Sequence, residues 1–72
     1  MREQLIEFLR RQPFVPFVVT LANGEAYPIE TVERMSAGQH IFTLVDPQSG
    51  LVLFAPYGSI LHLAIKDAPP VH

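Results

Sequence analysis

At 72 residues the chain fits one domain, and a domain of that size buries only about 60% of the surface its unfolded chain exposes. Hydrophobic residues make up 49% of it and the mean hydropathy is +0.24, more apolar surface than so small a body hides easily, so part of it is expected in a contact between subunits. The absence of cysteine excludes a disulfide framework and a thiolate metal site.

The apolar runs fall far short of the roughly 20 residues of a membrane helix. Met1-Arg2-Glu3-Gln4 lacks the cationic and apolar blocks of a signal peptide, so a cytoplasmic protein with no membrane role is the expectation. The net charge is −2, whereas an electrostatic nucleic-acid binder carries a basic surplus that displaces counterions from phosphate. Between residues 12 and 65, Arg34 alone opposes Glu25, Glu30, Glu33 and Asp46, a local net charge of −3. Positive surface is therefore expected on the first helix.

That helix is predicted over residues 1–12, with Leu5, Ile6, Phe8 and Leu9 as its apolar stripe. Glu3 stands in its first turn and Arg10 and Arg11 in its last, as the helix dipole favours, and Pro13 stops it. A Glu7 to Arg11 pair would add a few tenths of a kcal/mol. Pro13-Phe14-Val15-Pro16-Phe17 leads in extended, because each proline turns its predecessor away from the helical region.

The first strand then runs into Asn23-Gly24, the strongest short-range hairpin signal. A two-residue turn there sets Phe17 opposite Glu30, Val18 opposite Ile29 and Thr20 opposite Tyr27. Neither face is then cleanly polar, which suits a closed or strongly bent sheet. Pro28 removes one ladder donor and marks a bulge or an edge. The second strand is expected to continue past residues 31–33 to a loop at 36–39. A third strand follows at 40–45, and Asp46-Pro47-Gln48-Ser49-Gly50 closes a tight turn.

Residues 51–54 and 60–65 read as fourth and fifth strands around a kink at Ala55-Pro56-Tyr57-Gly58. Their nearly unbroken apolar character indicates cover on both faces, which a partner subunit supplies. Leu51, Leu53, Phe54, Ile60, Leu61 and Leu63 are thus the expected oligomer interface. The single domain spans residues 1–66, its barrel about 14–65, and 67–72 reads as a flexible tail.

His40, His62 and His72 share no ligand spacing, so neither a metal nor a cofactor is expected. The carboxylates form no acid/base arrangement, the serines lack a nucleophile context, and the glycines are dispersed as turn residues. An enzyme is not expected. Most of Phe14, Phe17, Tyr27, Phe42, Phe54 and Tyr57 are needed as core, and Tyr57, in the kink, is the candidate exposed aromatic contact.

Helix, Asn-Gly hairpin, long bent strand, third strand and two short strands around a kink is an order that resembles the Sm-like barrel, a mainly β, five-stranded SH3-like fold with one N-terminal helix. Leu9-Arg10-Arg11, Val15-Pro16-Phe17, Leu21-Ala22-Asn23-Gly24 and Ile29-Glu30 resemble the bacterial Hfq branch. The likeness spans about residues 2–65, with its specific part in the first 30. It implies a homo-oligomeric ring closed by pairing the fourth and fifth strands of neighbours, and RNA contact at a cationic rim, here Arg10 and Arg11.

Where that branch has a Tyr-Lys-His run that grips uridine-rich RNA, this chain has Phe54-Ala55-Pro56-Tyr57. Thr20 replaces the aromatic that stacks adenine. The expectation is a non-enzymatic ring, a scaffold or a weak binder of single-stranded RNA. The alternative is an SH3-like module that grips a protein partner and has no nucleic-acid role. The chain is also similar to small bacterial proteins with a Pro-Phe-x-Pro-Phe segment before the hairpin, a likeness that carries no activity with it.

Overall fold

The structure is a computed structural model that describes residues 1–66; the expected tail, with His72, lies outside the described residues. One helix, α1 (Arg2–Leu9), precedes six strands: β1 (Phe17–Leu21), β2 (Ala26–Ile29), β3 (Met35–Ala37), β4 (Ile41–Val45), β5 (Val52–Pro56) and β6 (Ile60–Ile65). They form two antiparallel three-stranded sheets, ordered β2-β1-β6 and β3-β4-β5. The expected five-stranded closed barrel is corrected on both counts. The long second strand breaks into β2 and β3 at a 3-10 turn, Val32–Arg34, and β5 and β6 do not pair with each other.

The hairpin register also differs from expectation. Phe17 pairs with Ile29, Val18 with Pro28, Val19 with Tyr27 and Thr20 with Ala26. The Leu21 N–H donates to the Glu25 carbonyl at 2.8 Å and the Gly24 N–H to the Leu21 carbonyl at 2.9 Å. Ala22, Asn23 and Gly24 thus make a three-residue loop, with Gly24 in the left-handed region at φ 90°, the form in which a turn is followed by a glycine bulge. Asn23 reinforces it, its side-chain oxygen accepting from the Glu25 N–H at 2.9 Å. The one-residue shift exchanges the faces of the partner strand. Phe17, Val19 and Leu21 now share a buried face with Ile29, and Glu30 is left in solvent.

Leu5 from α1, Met35 from β3, Phe42 and Leu44 from β4 and Ile60 from β6 complete one core. Phe8 lies 4.9 Å from the Phe17 ring, centroid to centroid, and so seats the helix over β1. Pro28 sits on the outer strand of its sheet, where a missing N–H costs no ladder bond. No helix of the described residues is long and apolar enough to cross a membrane.

Candidate self-assembly surface

Strands β5 and β6 are each an outer strand of their sheet, opposite β3 and β2, which a single 3-10 turn joins end to end. An outer strand presents unpaired N–H and C=O groups to any chain that can add to it, and proteins usually protect such edges with charge, proline or a bulge. Here the protection is slight. Strand β5 carries no charged residue and ends in Pro56. Strand β6 carries none either, and its register shifts at Thr20/Leu21, which sets Leu61 as an extra residue between Ile60 and His62.

Side-chain direction follows from the pairing of β5 with β4. Leu53 and Ala55 stand opposite the buried Leu44 and Phe42 and pack on the core. Val52, Phe54 and Pro56 stand opposite Val45, Thr43 and Ile41 and face outward. Phe54 is 66% exposed and Leu51, just before the strand, 71%. On β6, Leu61 is 60% exposed, and it shares with Met1, Gln4, Phe8, His62 and Leu63 a groove of about 220 Å³ between the helix and the free edge.

Among the expected interface residues, Leu51, Phe54 and Leu61 are solvent-exposed, whereas Ile60 is buried and Leu53 and Leu63 are half-buried against the core. Ile60 is thus corrected to a core position, while Leu53 and Leu63 pack partly on the core; the alternation of burial that separates them is hidden in a sequence apolar at nearly every step. Ile41, Val52 and Ile65 are exposed apolar positions that the sequence reading did not single out. Ile41 and Val52 are visible only once the β4 to β5 register is known.

The other candidates are placed elsewhere. The helix stops at Leu9, so Arg10 and Arg11 lie beyond its last turn, with the Arg10 N–H donating to the Ile6 carbonyl at 3.0 Å. Arg11 lies over the Phe8 ring at 4.5 Å, a cation-π contact in place of the expected pair with Glu7. Tyr57 is corrected as an exposed contact: it is half-buried, its ring centroid is 5.8 Å from that of Phe42, and its hydroxyl donates to the Gly38 carbonyl.

At the hairpin end, Glu25, Tyr27, Pro28, Asp46 and Pro47 line a second groove of about 320 Å³. Tyr27 donates to the Glu25 carboxylate, and that hydrogen bond, then burial, then the negative charges of Glu25 and Asp46, hold its phenol above the usual value of 10.0. Glu30 pairs with Lys66. Among the described residues no group of three or more His, Asp or Glu side chains could hold a metal ion. No protein-family model, no curated protein and no solved structure matches this chain.

Proposed function

We propose that the protein is a non-enzymatic, Sm-like assembly module in which β5 of one copy pairs with β6 of the next. The observation that carries this reading is the pair of outer strands, both uncharged and both with large exposed apolar side chains. Joining the two edges satisfies both at once, and because they are different edges the contact is head-to-tail. Repetition closes into a ring when the rotation per copy allows it.

RNA binding is a weak accompaniment. Arg10 and Arg11 recur on every copy and add over several phosphates, while Glu25, Glu30, Glu33 and Asp46 recur as well and oppose them. The acidic groove at Glu25, Tyr27 and Asp46 favours a second reading, a module that grips a cationic segment of another protein.

The test is mass in solution by light scattering, for the parent and for Phe54→Glu and Leu61→Glu. Both positions are exposed, so the variants fold. The expected parent mass is a multiple of 8.1 kDa, and both variants are monomers with the parent's circular dichroism. A parent that stays monomeric at micromolar concentration removes the assembly reading and leaves the protein-partner one. In RNA titrations at two salt concentrations, an Arg10→Ala, Arg11→Ala double variant loses whatever salt-dependent affinity the parent has.

A further inference from the structure

We propose that His62 makes the β5 to β6 seam pH-sensitive, so that copies associate at neutral pH and separate in mild acid; this rests on the assembly reading above. His62 is exposed on β6, opposite Thr20 of β1. Its neighbour Leu63 stands opposite the buried Val19 and packs on the core, so by alternation His62 belongs to the outward face with Thr20. Its other flank is the free edge.

A strand added at that edge continues the sheet, and its outward side chains stand beside the outward side chains of β6. The outward residues of β5 are Val52, Phe54 and Pro56. Every register that keeps the core-facing residues of both strands on one side therefore places an apolar side chain beside His62. Directly opposed residues hold their Cβ atoms about 4.5–5.5 Å apart, close enough to strip water from that side of the ring.

A neutral imidazole tolerates this loss and an imidazolium does not, because its hydration is not replaced. Among the described residues that line its groove or pair with it, none carries a negative charge. Strand β1 supplies Thr20, and Met1 together with Gln4 and Phe8 of α1 lines the shared groove. The charged group among these residues is the Met1 amino group, which carries the same sign. The incoming strand carries no charge. Proton binding thus favours the separated copy, and association weakens as pH falls through the range in which histidine gains its charge.

The experiment is sedimentation of the parent, His62→Gln, and a His40→Gln, His72→Gln double variant in buffers on either side of that range, with circular dichroism to follow folding. One unit of difference in proton affinity between free and assembled copies gives about a tenfold weaker association constant per seam in acid. The parent and the double variant are expected to show that loss while remaining folded, and His62→Gln to associate equally on both sides. An assembly indifferent to pH, one strengthened by acid, or a pH response that survives His62→Gln overturns this inference and leaves the assembly reading intact. A parent monomeric in both buffers overturns both.

Discussion

Phe17 and Ile29 stand opposite each other across the β1 to β2 ladder, and neither retains any exposed surface. The pair fixes the hairpin register, because sliding β2 by one residue replaces Ile29 with Glu30 in the core. Phe17→Ala leaves a cavity under Phe8 and Phe14, whose rings lie 4.9 and 6.0 Å from it, and is expected to cost about 3–5 kcal/mol. Against the roughly 5–15 kcal/mol total of a typical domain, that one ring carries a large share of the stability. Ile29→Val is expected to cost about 0.5–1.5 kcal/mol, and urea denaturation orders the two.

Gly24 holds φ 90° with no heavy atom within 4 Å of where a Cβ would stand. Substitution there is a question of backbone strain alone. Gly24→Ala is expected to lose about 1–2 kcal/mol and Gly24→Asn less, since asparagine tolerates the left-handed region. Equal urea midpoints for Ala and Gly would contradict the three-residue loop.

Tyr57→Phe keeps the ring on Phe42 and removes the hydroxyl from the Gly38 carbonyl. The expected loss is about 0.5–1.5 kcal/mol, that of one hydrogen bond. Tyr57→Ala also gives up the ring contact, so its melting temperature should fall clearly further.

Tyr27 keeps its proton to a higher pH in the folded protein than in the unfolded chain, chiefly through its hydrogen bond to Glu25. Stability from this source is complete below the ordinary tyrosine range and is lost as pH rises through the folded value, since the unfolded chain then binds fewer protons. Phenolate absorbance should show one tyrosine ionising late in the parent and earlier in Glu25→Gln.

The sequence made the element types and their order legible, since a helical stripe and runs of β-branched residues have distinct periods. Its hairpin was readable from Asn23-Gly24, but not the loop length: two-residue and three-residue turns both use that dipeptide. The break at Val32–Arg34 was hidden because Thr31 and Val32 favour strand locally, and the turn is set by the need for β2 and β3 to join different sheets. For the surface, the sequence showed that residues 51–65 are apolar at most positions. Which side chains face out depends on pairing with β4 and β1, a tertiary relation that no local pattern contains. The partner of Arg11 is hidden for a similar reason: Phe8 looks like core in the sequence, yet one side of its ring stays open to a cation.

The carbonyl of Gly38 accepts from Arg2 Nε at 3.0 Å and from the Tyr57 hydroxyl. Both lone pairs of one oxygen are thus engaged, one by the first residue of the helix and the other by the turn that joins the two outer strands. That oxygen is a fulcrum. A Cβ on residue 38 would lie 2.8 Å from the Ile41 carbonyl oxygen, so even alanine there forces the β3 to β4 turn to shift, and the oxygen moves with it. A single added methyl group, on a residue that belongs to neither β5 nor β6, would shift the helix against the turn between those strands. One carbonyl oxygen thus couples two distant parts of the fold, and a substitution at residue 38 is felt at both the start of the helix and the turn between β5 and β6.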